Sequence, residues 1–337
     1  MTSPARQRNS APPGRLPVAR LLCCLLLLLP AAAWAGDGAA DTPSELLAAG
    51  RPDEAIRVLT PMANGNNAAA YNLLGRVYFS LDDWDNAVRN CERAVQLEPK
   101  NAIFQLWLGR SFGEKASVAS PVLAFPLARK TVAAFATAHS LDRHNMAIAH
   151  DLAEYYVSAP VILGGGDGKA LALAAELAPE HPSDAAWVRA MVDTKAGHYE
   201  EAEREYTEEI RLAHDSARSY LDLAHFLKGR KTWDRMQQTV DRAMHSAEIR
   251  PVDRYNAAEL LLRSHRNLDE AARQLRAYIQ DGHTQEEAPL FRAHYLLGEV
   301  LLYTGDPSQA AAEYKTALSL ASSYRPAAES LRRLDQH

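Results

Sequence analysis

The segment 159–174, APVILGGGDGKALALA, has the composition of a phosphate-binding loop. Its glycines and Lys169 lead into an alanine-rich stretch that should be helical, and free N–H groups at a helix start favour a bound anion. The nucleotide-binding pattern also needs a glycine five residues before Gly168 and a hydroxyl residue directly after the lysine. Leu163 and Ala170 occupy those two positions, and a helical pattern precedes the loop where a strand is required.

We therefore interpret Gly164–Lys169 as a turn between helices, in which the glycines supply positive φ angles and Lys169 is exposed. An anion-dependent enzyme that uses this segment remains open only as a third alternative.

Other residue types that could do chemistry lack the required spacing. The chain has 12 histidines, and His139, His144 and His150 are five and six residues apart, which does not place all three on one helical face. The sequence has no H-E-x-x-H or G-x-S-x-G pattern. Cys91 is the only cysteine after residue 35 and occupies a core position of its repeat. We expect surface histidines, an unreactive Cys91, no metal or other cofactor, and no enzymatic activity.

Composition and charge narrow the class of fold and of partner. The 337 residues include 37 basic and 42 acidic side chains, for a formal charge of -5. This balance gives no electrostatic reason to expect nucleic acid as a partner. Alanine and leucine are plentiful and alternating strand patterns are scarce, which favours an all-α fold.

The N-terminus has the pattern of a cleavable export signal. Basic residues precede the apolar run Leu21–Leu29, and the small-x-small site Ala33-Trp34-Ala35 follows it. A bilayer-spanning helix needs about 20 apolar residues, which is longer than this run. We predict a signal peptide at 1–35, a flexible linker at 36–43, and an exported protein, periplasmic or otherwise extracytoplasmic, with no membrane span after cleavage.

The rest of the chain is repetitive. In residues 68–100, AAAYNLLGRVYFSLDDWDNAVRNCERAVQLEPK, eight marked residues fall at positions 4, 7, 8, 11, 20, 24, 27 and 32 counted from Ala68. They are Tyr71, Leu74, Gly75, Tyr78, Ala87, Cys91, Ala94 and Pro99. The pattern resembles the tetratricopeptide repeat, an antiparallel helix pair in which small residues at positions 8 and 20 let the two helices approach closely.

Related spacings recur to the C-terminus, for example around Gly109 and Gly298. We count about eight helix-pair units over residues 44–337, ending in a cap helix within RPAAESLRRLDQH. Ten extra residues lie between the helices of the third unit, and five lie in the turn of the fourth, within SAPVILGGGDGK. The expected fold is an all-α, tetratricopeptide-type α-solenoid.

The segments GEKAS, LARKTVAAFATAHSLDRHN, DLAEYYVSAP and GGGDGKA together resemble a subgroup of exported bacterial tetratricopeptide repeat proteins. This subgroup has a lengthened third repeat and an AP…GG…KA turn in the next. The resemblance implies an extracytoplasmic interaction module and no particular reaction. The same signature could instead reflect docking of the long third unit against the fourth.

The resemblance also implies a partner-binding groove, because positions 2, 5, 6, 9, 12 and 13 of each first helix face the concave side in this family. Arg76 and Arg110 share position 9 of consecutive units and should lie on one wall, where they could grip a carboxylate or phosphate beside Trp107. Ordinary solvated arginines and a Trp107 that packs between repeats are the alternative. The groove candidates are Asn72, Arg76, Trp107, Arg110, His150, Glu154, Trp187, His225, Tyr295, Glu299 and Tyr303.

Two functions of different class follow from this interpretation. The first is a non-catalytic, exported protein–protein interaction scaffold or assembly factor that binds a protein or peptide segment in the groove. The alternative is a polysaccharide-export or small-ligand binding component of the cell envelope, in which exposed Trp107, Trp187, Tyr295 and Tyr303 stack on the ligand.

Overall fold

The computed structural model describes residues 42–282 and 285–336, and these contain 17 α-helices and no β-strand. The first eight helices are α1 Pro43–Ala48, α2 Pro52–Met62, α3 Ala68–Ser80, α4 Trp84–Leu97, α5 Ala102–Val118, α6 Pro121–Leu141, α7 Met146–Ser158 and α8 Asp167–Leu177. The others are α9 Pro182–Ala196, α10 Tyr199–Leu212, α11 Ala217–Gly229, α12 Trp233–Met244, α13 Pro251–Ser264, α14 Leu268–Asp281, α15 Leu290–Tyr303, α16 Pro307–Leu320 and α17 Arg325–Leu334.

Helices α1–α16 form eight consecutive pairs and α17 follows them, so the predicted all-α solenoid with a terminal cap helix is confirmed. The predicted signal peptide at 1–35, and residues 36–41 of the predicted linker, lie outside the described residues. The first unit begins at Pro43, where Thr42 caps α1 by accepting from the Glu45 N–H. None of the described helices is both long and apolar enough to cross a membrane.

The first helices of the second, third and fourth units begin at the same kind of residue. The side chains of Asn67, Asn101 and Asn145 each accept a hydrogen bond from a backbone N–H in the first turn of α3, α5 and α7. Asparagine is among the best N-cap residues because its side-chain oxygen satisfies a donor that the helix leaves free. The repeat therefore sets helix boundaries as well as helix faces.

In the second, third and eighth units, the two helices meet where a glycine at position 8 faces the side chain at position 24. The fourth and sixth units have the fully buried Ala153 and Ala224 at position 8. A Cβ placed on Gly109 would lie 2.5 Å from Phe135 Cδ1, and one on Gly298 would lie 2.5 Å from Tyr314 Cε1. Gly75 faces Cys91 in the same way. Only a glycine permits this approach, so the predicted role of position 8 is confirmed, with position 24 as its direct partner.

The extra residues of the third unit lengthen both of its helices. α5 has 17 residues and α6 has 21, and only Ala119 and Ser120 separate them. The hairpin consequently exposes apolar side chains at its tip, including Val122 and Leu123.

The fourth unit has the predicted turn, which contains a short 3-10 helix at Val161–Leu163 and ends at Gly166. The φ angles of Gly164 and Gly166 are 96° and 131°, as expected of turn glycines, and the exposed Lys169 donates to the Gly164 carbonyl at 2.7 Å. Gly165 has no positive φ and is required for another reason, which is the close approach of the Ala159 backbone.

The turn docks on the long third unit. The Tyr155 hydroxyl lies 2.6 Å from the Ala128 carbonyl oxygen in α6 and 2.9 Å from the Leu163 carbonyl oxygen in the turn. Gly164 also packs closely against Val132 of α6. The shared sequence signature of these two units thus corresponds to a structural contact between them.

The last units contact the first two. Arg292 of α15 donates to the Ser80 carbonyl at 3.1 Å and pairs with Asp82, both at the end of α3. The Ser322 N–H donates to Asp53 Oδ2 at 2.8 Å. The eight pairs therefore complete a turn and close on themselves, which encloses the concave face.

Gly109→Ala is expected to destabilise the protein by about 1–3 kcal/mol, because the added methyl group overpacks the α5–α6 contact at Phe135. Gly113→Ala, one turn further along α5, is the matched control, since a Cβ there would lie 3.5 Å from Thr131 Cγ2. It should be neutral or stabilising by up to about 1 kcal/mol, because alanine favours a helix over glycine. Urea unfolding measures both, and equal effects would contradict the assigned contact.

Gly165→Ala is expected to cost about 1–3 kcal/mol, because its Cβ would clash with the backbone of Ala159, which moves less readily than a side chain. The control is Gly168→Ala, whose Cβ would have no neighbour within 4 Å. Thermal unfolding of the two variants should differ accordingly. A Gly165→Ala protein as stable as Gly168→Ala would show that the turn accepts a side chain.

Candidate functional site

The centre of the candidate site is the indole ring of Trp107 on α5. The guanidinium carbon of Arg76 lies 5.2 Å from the ring centroid, and that of Arg110 lies 4.7 Å from it. Phe79 meets the same ring edge-on, with 5.4 Å between ring centroids. The two arginines thus lie on one wall, as their shared repeat position predicts, and an indole face attracts cations more strongly than other aromatic rings.

Each of these arginines is bound to a carboxylate of the same chain. Arg76 Nε donates to Glu286 Oε1 at 2.8 Å, and its Nη2 pairs with the second oxygen. Arg110 Nε donates to Asp151 Oδ2 at 2.5 Å and its Nη2 donates to Oδ1 at 3.3 Å. Burial lowers the pKa of Arg110, but Asp151, with smaller contributions from Glu287 and Glu286, more than offsets this, and the pKa is raised overall. Both arginines therefore hold a carboxylate in the two-pronged geometry that guanidinium groups favour.

A cavity of about 470 Å³ opens beside this wall. Its lining combines the rings of Phe79 and Trp107 with the carboxyl groups of Glu114 and Glu154. Burial, followed by the negative charges of Asp151 and Asp222, raises the pKa of Glu154 to about 7. Apolar walls with a few converging polar groups are typical of a binding site.

A second group of charged residues continues along the concave face from α7 to α11. His150 Nε2 lies 2.6 Å from Asp184 Oδ1 and 3.2 Å from Arg218 Nη2, and its ring meets Trp187 at 5.0 Å. Burial raises the pKa of Asp184, but the hydrogen bond to His150 and the charges of His150 and Arg218 outweigh it, so the pKa is lowered. This carboxylate is therefore ionised and shared by two basic groups.

Two carboxyl groups meet next to this cluster, at Glu209 of α10 and Asp222 of α11. Burial, followed by the charge of Asp222 and a hydrogen bond with it, raises the pKa of Glu209 far above its ordinary value. Within the described chain, Glu209 Oε2 and Asp222 Oδ2 are buried and no other group donates to them. A single proton held by Glu209 and donated to Asp222 satisfies both atoms.

The predicted groove residues divide into several places. Arg76, Trp107, Arg110 and Glu154 line the first cavity, and His225 lines a separate one along α11 and α13. Tyr295, Glu299 and Tyr303 lie apart from these two cavities.

Tyr295 and Glu299 lie between the eighth unit and the cap helix rather than on an open groove. Tyr295 packs on Tyr314, and Glu299 accepts from the Tyr314 hydroxyl at 2.6 Å and from Ser330 at 2.9 Å. Tyr303 is 57% exposed and packs edge-on against His265.

Three sequence expectations were wrong about exposure. Trp107 and Trp187 are buried, so their rings are not open faces on which a sugar could stack, and Asn72 is buried inside α3. Trp107 packs with Val88 and Phe112, and Trp187 belongs to the main apolar core. The histidines are also not uniformly at the surface, since His150 and His294 are half-buried beside carboxylates.

Sequence reasoning missed most of the partners of the predicted residues, although the repeat register contained a signal for many of them. Asp184 and Arg218 occupy position 2 of their units, and Asp151 and Asp222 occupy position 6, both of which face inward. Glu286 lies in the α14–α15 connection, outside any repeat position, and nothing local in the sequence identifies it.

Neither a metal site nor a reactive thiol stands out in the described part of the chain. No group of three or more histidine, cysteine or acidic side chains there could hold a metal ion. Cys91 is fully buried, and burial raises the pKa of its thiol to about 12. A thiol in that state is a poor nucleophile at neutral pH.

Two segments of the chain match family models of the tetratricopeptide repeat, at residues 68–101 and at residues 255–330. They coincide with α3–α4 and with α13–α17. Together with the eight helix pairs, these matches make the chain a tetratricopeptide-type α-solenoid. No curated protein matches the chain.

Solved structures of other repeat proteins are similar to the chain at low identity. A tetratricopeptide repeat protein from Parabacteroides merdae is 18% identical, covering 81% of this chain and 100% of its own, with a TM-score of 0.39. Yeast Tom70 is 14% identical, covering 91% and 66%, with a TM-score of 0.49. The C-terminal part of a repeat protein from Cytophaga hutchinsonii is 14% identical, covering 86% and 98%, with a TM-score of 0.40. Similarity at this level gives no information about a partner or a reaction.

The carboxyl pair predicts an unusual pH dependence of stability. Because the pKa of Glu209 is raised, the folded protein keeps a proton that the unfolded chain releases above its ordinary pKa of 4.5. Stability should therefore fall as the pH rises above that value, by at most about 1.4 kcal/mol per pH unit for one proton.

Glu209→Gln removes this titration and keeps a donor for Asp222. The melting temperature of Glu209→Gln should consequently fall less than that of wild type between pH 5 and pH 9. Glu208→Gln, an exposed neighbour on the same helix, is the control and should follow the wild-type curve. Parallel curves for wild type and Glu209→Gln would contradict the shared proton.

Proposed function

We propose that the protein is an exported, non-catalytic scaffold that binds a segment of a partner protein on its concave face. Tetratricopeptide-type solenoids present a long inner surface built from successive first helices, which suits an extended partner better than a small substrate. The basic, apolar and small-residue pattern of the N-terminus supports export, and with it a periplasmic or otherwise extracytoplasmic location.

The observation that carries the proposal is the position of Arg76 and Arg110 beside the Trp107 ring, at the edge of a cavity. Arginine and tryptophan are the residue types that most often dominate the energy of a protein interface. Here they are placed by helices α3 and α5 and packed against each other. The partner segment would place its side chains in the cavity and an acidic group against the arginine wall.

The envelope-ligand alternative has less support, because the two tryptophan rings it requires are buried. An assembly role for a complex of the cell envelope is compatible with the scaffold, and identification of the partner would decide which complex is concerned.

The proposal predicts that a displayed library of random peptides, selected on mature protein from Gly36 onward, enriches sequences whose binding needs Arg76. The Arg76→Gln protein should lose the selected peptides by at least about tenfold in affinity, since a charged hydrogen-bonding pair is removed at a desolvated site. Arg204→Gln on α10, an exposed arginine paired with Glu201, is the matched control and should retain them.

Circular dichroism must show that all three proteins have the same helix content. Peptides that bind equally well to Arg76→Gln would refute the site. If those peptides were lost instead on Val122→Ser/Leu123→Ser, the exposed tip of the third unit would be the binding surface.

A further inference from the structure

The connection between α14 and α15 enters the candidate site. We propose that residues Gln285–Pro289, here called the groove segment, occupy the partner site when no partner is bound. We further propose that the partner presents an acidic, extended segment that replaces Glu286 on Arg76. This inference rests on the proposed function and adds to it the chemical class of the partner and a means of regulation.

The groove segment is held in one conformation by Tyr278 of α14. The buried Tyr278 hydroxyl donates to the Ala288 carbonyl oxygen and accepts from the Gln285 N–H at 3.3 Å. The Ala288 N–H donates to the Gln285 carbonyl at 3.1 Å, and the two residues form an isolated antiparallel bridge. A tight turn of this kind leaves its two central residues, Glu286 and Glu287, at the tip.

The tip of this turn lies at the candidate site, although the turn belongs to the C-terminal part of the chain and Arg76 to the N-terminal part. Glu286 forms the two-pronged ion pair with Arg76, and its side chain is only 13% exposed there. Glu287 lines both the cavity beside Trp107 and the separate cavity that His225 lines, and its charge raises the pKa of Arg110. The segment thus presents two consecutive carboxylates between the two cavities of the concave face.

The contact of Glu286 is separable from the contacts that close the solenoid. Closure is made by Arg292 with Ser80 and Asp82, and by Ser322 with Asp53. Of the groove segment, Pro289 packs beside Gly50 of the first unit and Ala288 is fully buried. The attachment between the ends therefore remains when the tip alone moves and Glu286 leaves Arg76.

The chemistry of the exchange selects the partner. An arginine that is three-quarters buried is costly to leave without a counter-charge, so whatever displaces Glu286 has to bring a carboxylate of its own. A neutral or basic segment would leave Arg76 unpaired and release an acidic turn at the same time. Exchange of one carboxylate for another preserves the ion pair and the stacking of Arg76 on Trp107.

Tethering makes the groove segment an effective competitor. A group joined to its site by a short connection acts at an effective concentration in the millimolar range. If the segment occupies the site nine-tenths of the time, the apparent affinity for an added peptide is reduced about tenfold. Only a partner that binds more strongly than a single isolated acidic residue would enter.

The test uses a labelled peptide with the protein's own sequence QEEAPL, residues 285–290, acetylated and amidated so that its termini are uncharged. Fluorescence anisotropy measures its affinity for mature wild type and for Glu286→Gln. We expect binding to Glu286→Gln to be at least about tenfold tighter than to wild type. Addition of Arg76→Gln to that variant should abolish binding, and the neutral peptide QQQAPL should not bind to Glu286→Gln.

Asp82→Asn is the matched control, because it weakens a closure contact between the chain ends without touching Arg76. It should bind QEEAPL as weakly as wild type. The inference is overturned if Glu286→Gln binds no better than wild type, if Asp82→Asn gains as much affinity, or if QQQAPL binds as well as QEEAPL.

Failure of this inference is distinguishable from failure of the proposed function. Library peptides that need Arg76 but bind equally well to wild type and Glu286→Gln would leave the scaffold function in place and refute the groove segment as a competitor. Library peptides that bind without Arg76 would refute the proposed site itself, and the groove segment with it.

Discussion

The close approach of the two helices of a pair at a small residue in position 8, such as Gly109 or Ala224, is the constraint on which the rest of the structure depends. It brings the two helices of a pair close enough to bury the alanines at position 20, such as Ala87 and Ala310, completely. The remaining apolar face of each pair is then covered by the next pair, because one pair cannot bury it alone. Stacking of eight pairs carries the last unit back to the second, where Arg292 meets Ser80 and Asp82.

Closure changes the electrostatics of the inner face. Arginines that would be solvated in an open solenoid are partly desolvated, and a desolvated charge needs a counter-charge. Arg76 and Arg292 obtain one across the closure, from Glu286 and Asp82, whereas Arg110 pairs with Asp151 of the adjacent unit. Where two acids meet with too few bases, at Glu209 and Asp222, the raised pKa of Glu209 keeps a proton between them. On this face, replacing the carboxylate that pairs with an arginine by another carboxylate therefore costs less free energy than removing it.

The ion pair between Arg76 and Glu286 belongs both to the candidate binding site and to the groove segment that we propose competes for it. The arginine wall is built by α3 and α5, whereas the carboxylate on it comes from the α14–α15 connection, so the two halves of the contact belong to opposite ends of the solenoid. The enlarged third and fourth units serve a different purpose. They dock on each other through Tyr155 and expose apolar side chains at the hairpin tip.

The sequence by itself determined the helix pairs and the shared wall of Arg76 and Arg110, because these depend on spacing within one or two repeats. It contained the signal for Asp151 and Arg218, which share inward-facing positions of the register. Only the tertiary structure decided that Trp107 is buried and that Glu286 meets Arg76, which lies 210 residues away. That contact depends on the rotation between neighbouring units added over the whole solenoid. A local sequence pattern specifies each unit but does not specify this total rotation.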